Sequence, residues 1–174
     1  MDAYESLLKR RSIRNFNADR DVEEEKIQKI IKAGLSAASG RNRQSSIIIE
    51  VKDKKTRDMI SEWNRKIGGF EEGFDPFYHA PVILIVLANK DVNTYLYDGS
   101  LTMGNLLQAS YDLSLGSIWI HRAKEEFETE EGKKLLKKLG IEGNYEGIGH
   151  CAIGYTDSLD IDAHPIREGR VFKI

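Results

Sequence analysis

The segment with the densest chemistry is Arg10-Arg11-Ser12-Ile13-Arg14-Asn15-Phe16. In an extended backbone side chains alternate, so Arg10, Ser12 and Arg14 share one side while Ile13 points into a core. Guanidinium forks and a hydroxyl on one face suit a phosphate or another dense anion. A solvated basic turn is the alternative. A second segment, Ser39-Gly40-Arg41-Asn42-Arg43-Gln44-Ser45-Ser46, sets Asn42 and Gln44 at alternate positions. Amides both donate and accept, which suits a heterocycle displaying both kinds of group; the alternative is a plain polar loop. A third, Gly116-Ser117-Ile118-Trp119-Ile120-His121, opens with small residues that let backbone N–H groups approach a planar ligand. Trp119 taken alone reads as a core side chain. The fourth, Gly147-Ile148-Gly149-His150-Cys151-Ala152-Ile153-Gly154-Tyr155, is not a dinucleotide fingerprint, because its strand follows the glycines instead of preceding them.

Other chemistries find little support. No phosphate loop with a Gly-Lys-Ser/Thr ending occurs. His79, His121, His150 and His164 are scattered without metal-ligand spacing, so no metal site is expected. No serine or cysteine nucleophile signature is present, and Cys151 in an apolar strand reads as buried and inert. Glu125, Glu126, Glu128, Glu130 and Glu131 read as a solvated helix entrance. No catalytic side chain is expected.

These segments need elements to hold them. Asp2 and Glu5 stand in capping-box spacing before a short helix ending near Lys9, with Tyr4, Leu7 and Leu8 as its apolar stripe. Asp21 is expected to cap a second helix carrying Ile27, Ile30, Ile31 and Leu35, with Glu23, Glu24 and Glu25 at its positive end. After a loop from Ser36 to Ser46, Ile47 to Val51 reads as a strand and Thr56 to Lys66 as a helix. Gly68, Gly69, Gly73 and Pro76 then mark a flexible segment rich in aromatics. Val82 to Leu87 is the clearest strand, with Pro81 at its entrance where a missing N–H is tolerated. Asp98 is expected to cap a long helix ending before Gly116, followed by a strand from Ser117 to Ile120. Thr129 to Leu139 reads as a helix, Gly149 to Tyr155 as a strand, and Arg170 to Ile174 as a terminal arm. Strands and helices mix without strict alternation, which predicts an α+β fold in one domain over residues 1–174.

Composition removes whole classes. The chain has 174 residues, 31% charged, with a net charge of −2, which argues against nucleic acid as its partner. Its longest apolar run, Ala80 to Ala88, is far short of the roughly 20 residues a membrane-spanning helix needs. No secretory signal is expected at the N-terminus. The single cysteine favours a reducing, cytoplasmic setting.

In their order along the chain, the four segments resemble the motifs of the nitroreductase family of flavin mononucleotide (FMN) enzymes. Arg10 to Phe16 is similar to that family's opening motif, and Ser39 with Asn42-Arg43-Gln44 to its Ser-x-x-Asn-x-Gln loop. Leu115 to Ile120 and Glu146 to Tyr155 are similar to its third and fourth motifs. The resemblance implies a central, mostly antiparallel sheet flanked by helices, and an intertwined homodimer with FMN at the interface. It implies that Arg10 and Ser12 hold the flavin phosphate with help from Arg11, and that Arg14 faces the pyrimidine edge. Ser39, Asn42 and Gln44 would reach the flavin from the other subunit. The backbone of Ile118, Trp119 and Ile120 would lie near the reactive ring nitrogen, and Arg167 or Arg170 would complete the phosphate site. Three positions depart from the family pattern: Ser45-Ser46 in place of Pro-Trp, His121 in place of glycine, and a loose match at Pro165-Ile166-Arg167. The implied activity is hydride transfer from NADH or NADPH through the flavin to a nitroaromatic, quinone or related acceptor. A flavin-binding or flavin-storing protein without turnover is the rival reading.

Overall fold

Val82 to Ala88 is apolar at every position, and a strand with that pattern must be covered on both faces. The computed structural model, which describes residues 3–174, covers it in that way. Ile83, Ile85 and Leu87 pack into one core with Ile13, Phe16, Ile60, Phe77 and Phe127. Val82, Leu84, Val86 and Ala88 pack into another with Ile27, Ile30, Met103 and Leu106. The strands are β1 (Ser46–Val51), β2 (Val82–Asn89), β3 (Gly116–Ile120) and β4 (Tyr145–Gly154). They form one sheet in the order β1-β2-β4-β3, with every neighbouring pair antiparallel. Helices flank it on both faces: α1 (Ala3–Lys9), α2 (Glu24–Leu35), α3 (Lys54–Ile67), α4 (Tyr95–Asp112), α5 (Ala123–Glu128) and α6 (Glu130–Lys138). The α+β expectation holds.

Several local expectations shift, each for a physical reason. Asp2 lies outside the described residues. The stripe Tyr4, Leu7 and Leu8 on α1 is exposed, so it does not feed the core. Asp21 does not cap α2, whose N-cap is Glu23. Asp53 caps α3 by accepting from Thr56 N at 2.8 Å, starting that helix earlier than its apolar pattern indicates. Helix α4 begins one turn before Asp98, with Thr94 as its N-cap. Thr129 caps α6 by accepting from Gly132 N at 3.0 Å, and α5 is an additional short helix ahead of it. The acidic run before α6 is not uniformly solvated, because Glu126 is fully buried. Residues 156–174 form neither helix nor strand, and Ile166, Val171 and Phe172 in them are exposed.

Candidate functional site

The first and third segments lie side by side. Ser12 forms a parallel bridge with Ser117 of β3, and Ile13 N donates to Ser117 O at 3.1 Å. The alternation predicted for this stretch is observed at its anchor: Ile13 is buried beside Ile118 in the core. Arg14 is exposed, and Ser12 is half-buried. Arg10 is half-buried as well, and its Nη1 is a buried donor without a hydrogen-bond partner among the described residues. Arg11 stands beside it, donating from Nη1 to Arg10 O at 2.6 Å. Burial, and then the Arg11 charge, push the Arg10 pKa below the usual arginine value. A guanidinium held out of water next to a second cation is costly without an anion. The residues therefore fit a phosphate, which would accept from the unmatched Nη1 and from the Ser12 hydroxyl.

Strand β3 lies at the end of the sheet, so its backbone edge away from β4 is available beyond the Ser12 bridge. Ile118 and Ile120 turn their side chains into the core, leaving the backbone as the group that can meet a ligand. Trp119 does not join the core; it is 37% exposed on the opposite face. Its indole lies over Gly149 of β4, where an added Cβ would sit 2.1 Å from Trp119 Nε1. Gly149 of the fourth segment is thus a seat for Trp119. Cys151, on the same strand, is fully buried, and burial pushes its thiol pKa upward, in keeping with an inert side chain.

The second segment forms a strained loop around the short turn Gly40–Asn42. Arg41 (φ 54°), Asn42 (φ 54°) and Gln44 (φ 48°) all occupy the left-handed region that non-glycine residues avoid. Two internal bonds support it: Gln44 N donates to Ser39 Oγ at 3.0 Å and Gln44 Nε2 to Asn42 Oδ1 at 3.2 Å. Buried Asp98 anchors it from α4, accepting from Gly40 N (3.0 Å), Ser45 Oγ (2.8 Å) and Thr94 Oγ1 (3.1 Å). Asp98 is therefore a loop anchor and not the cap that its sequence context indicates. Its spacing of four from Thr102 and eight from Leu106, both buried, was the available signal: a carboxylate on that face must find partners. A cavity of about 120 Å³ lies beneath the loop, lined by Ser39, Gln44, Ser46 and Asp98. One of about 280 Å³ lies beside it, lined by Gly40, Arg41, Arg43 and Thr94.

Among the described residues, no hydrogen bond joins the Ser39–Gln44 loop to the Arg10–Arg14 segment. Arg167 and Arg170 lie in the exposed segment after β4 and bond neither Arg10 nor Ser12. One chain thus assembles Arg10, Arg11, Ser12, exposed Arg14 and β3, while Ser39, Asn42, Gln44, Arg167 and Arg170 stand outside that assembly.

The family pattern described as the Nitroreductase family matches residues 7–155, most of the chain and all four motif segments. The chain belongs to the nitroreductase family. A protein of Archaeoglobus fulgidus named "Putative NADH dehydrogenase/NAD(P)H nitroreductase" is 30% identical over 159 residues, covering 88% of this chain and 85% of its own length. A nitroreductase with bound FMN from Bacteroides fragilis NCTC 9343 superposes with a TM-score of 0.90 at 20% identity, covering 100% of this chain and 99% of that one. Oxidized iodotyrosine deiodinase, bound to FMN and 3-iodo-L-tyrosine, superposes with a TM-score of 0.75 at 21% identity, covering 98% of each chain. At those identities the likenesses establish the nitroreductase fold for this chain. Among the described residues, no helix of this nitroreductase-family chain is long and apolar enough to cross a membrane.

Proposed function

We propose that this chain is an FMN-dependent oxidoreductase. It takes a hydride from NADH or NADPH and delivers it to a nitroaromatic, quinone or related electron-poor acceptor, in a ping-pong cycle. The observation that carries this reading is the buried, unmatched Arg10 Nη1 at the junction of Ser12 and β3, in a chain of the nitroreductase family. Bound FMN would supply the chemistry of accepting and releasing a hydride. The protein's part is binding and electrostatics. Arg10 and Ser12 hold the phosphate, with Arg11 adding charge. Exposed Arg14 faces the pyrimidine edge, where a guanidinium favours the extra negative charge of the reduced ring. The backbone of Ile118 to Ile120 would hold the ring near its reactive nitrogen, and hydride transfer would need donor and acceptor atoms about 3–3.5 Å apart.

A second copy of the chain supplies Ser39, Asn42 and Gln44, while Arg167, with Arg170, completes the phosphate site. Two observations support the pairing. Tyr4, Leu7 and Leu8 of α1 and Leu96, Tyr97 and Leu101 of α4 are exposed, more apolar surface than a monomer leaves without purpose. Residues 156–174 leave the body of the chain with Val171 and Phe172 uncovered. The lone cysteine keeps a cytoplasmic setting part of this proposal.

The purified protein is expected to be yellow, to bleach anaerobically with NADH or NADPH, and to recover its colour on adding an acceptor. A colourless protein that cannot be reconstituted with FMN would refute the reading. Sedimentation should give a dimer; a monomer that retains flavin and full activity would remove the role of the second copy.

A further inference from the structure

The segment between α3 and β2 carries a row of aromatic rings that the core does not use. Phe70 and Phe74 pack with centroids 4.9 Å apart and rings tilted by 51°, and Phe74 meets Tyr78 edge-on at 5.9 Å. Phe70 and Phe74 are 36% and 39% exposed, so the row ends in a surface that water touches. Over Phe70 lies the guanidinium of Arg122, its Cζ 4.9 Å from the ring centroid. Gly68 makes the stack possible: a Cβ there would fall 2.5 Å from Phe70 Cε2 and 3.0 Å from Arg122 Nε.

Among the described residues, Arg122 differs from its neighbours in having no paired carboxylate. Arg65 is matched by Glu62, with Nε to Oε2 at 2.7 Å, and Arg57 by Asp75 and Asp58. Glu71 and Glu72 follow Phe70 directly and Glu125 follows Arg122 by three positions, yet none forms an ion pair with Arg122 among the described residues. A guanidinium held over a ring, with no carboxylate paired to it, keeps N–H donors for an incoming oxyanion.

The backbone that presents Arg122 is strained and braced. Arg122 has φ 81°, a conformation a non-glycine residue holds only when its surroundings impose it. Asn64 Nδ2 donates to His121 O at 2.8 Å and to Glu126 Oε1 at 2.6 Å. Glu126 N donates to Arg122 O at 3.0 Å. His150 Nε2 lies 2.7 Å from Glu126 Oε2, and its Nδ1 lies 3.3 Å from Ile120 O. Asn64, Glu126 and His150 are fully buried, so three elements clamp the turn from Ile120 to Arg122. That turn leaves β3 directly after Trp119 and Ile120.

We infer that Arg122, stacked on the Phe70–Phe74 row, recognises a negative charge and gives the site a preference for aromatic acceptors that carry an acidic group. The acceptor ring extends the aromatic row, and its carboxylate meets the free edge of the guanidinium. This rests on the proposed oxidoreductase reading for its place in catalysis, but its binding chemistry is testable without turnover.

The test is calorimetric titration of the FMN-saturated protein, without nicotinamide, with 4-nitrobenzoate and its neutral near-isostere 4-nitrobenzamide. The wild type should prefer the acid, and Arg122→Gln should lower that preference roughly tenfold, the size of one charge-assisted hydrogen bond. Phe70→Leu, which removes the platform and leaves the strained turn alone, should lower it in the same direction. An unchanged acid-to-amide ratio in both variants overturns the inference. A parallel titration of the same variants with NADH and NADPH overturns it too if only the discrimination between those two changes, because the charge read would then belong to the donor. Arg122-dependent preference without NAD(P)H-driven reduction of either compound would support the anion site and defeat the redox reading, so the two failures are distinguishable.

Discussion

Arg10 and Arg57 both keep a guanidinium largely out of water, and they are matched in opposite ways. Arg57 donates from Nε to Ala80 O at 3.1 Å and from Nη1 to Asp58 Oδ1 at 3.1 Å, and its Nη2 is paired with Asp75. Asp75 in turn accepts from Ser61 Oγ at 2.7 Å, Phe77 N at 3.0 Å and His79 N at 2.8 Å. That region is closed, and its charges brace the segment between α3 and β2. Arg10 has Arg11 beside it and a buried Nη1 with no partner among the described residues. The same side chain is thus a structural tie where each guanidinium nitrogen has a partner and, in the proposed function, a binding group where a buried nitrogen has none.

The largest effect should come from opening the closed region. Asp75→Ala leaves Arg57 buried without its main counter-charge and should cost about 3–5 kcal/mol of stability in urea unfolding. A loss below about 1 kcal/mol would mean that Arg57 is no brace. Arg10→Gln should do the converse. Stability without ligand should change by less than about 1 kcal/mol, while FMN affinity in a fluorescence titration falls roughly 10- to 100-fold, the loss of one or two charge-assisted bonds. Equal damage to stability and affinity would erase the contrast between the two arginines.

A smaller effect sharpens the contrast within the open region. Arg14→Ala should lower the flavin reduction potential, by about 30 mV for each 1.4 kcal/mol of lost interaction in a two-electron couple. Arg10→Ala should move it less, and equal potentials in wild type and both variants would refute this division of roles. The mildest prediction concerns acid. Burial raises the Asp75 pKa, but hydrogen bonds from Arg57 and Ser61 outweigh it and leave the carboxyl below its ordinary value. Its contribution to stability is then complete above the unfolded value near 4 and is lost as pH falls through the lower folded one. Asp75→Asn lacks that contribution at neutral pH already, so its unfolding free energy should fall less steeply from about pH 5 to pH 2. A slope equal to that of wild type would assign the acid sensitivity elsewhere.

The parts legible in the sequence were those whose signal is local. The uninterrupted apolar run at Val82 to Leu87 announced a strand covered on both faces. Ile13 between Ser12 and Arg14 announced which way that segment must turn. Glu126 shows the limit. It sits in an acidic run that reads as solvent-facing, yet it is buried against Asn64 and His150, 62 and 24 residues away along the chain. Asp98 likewise gave up the role of a cap because Gly40 and Ser45, far upstream, needed an acceptor.

By itself the sequence determined every strand and every helix but α5, the α+β class, the motif order of the nitroreductase family and the residue types that suit a phosphate. Those features depend on periodicity and on neighbours a few positions apart. The tertiary structure alone decided which charges are matched among the described residues: Arg57 closed by Asp75, Arg10 left with an unpartnered buried nitrogen, and Arg122 over Phe70 without a carboxylate. A side chain's value as brace or receptor depends on the groups that folding brings within about 3 Å, and most of those come from distant positions in the chain.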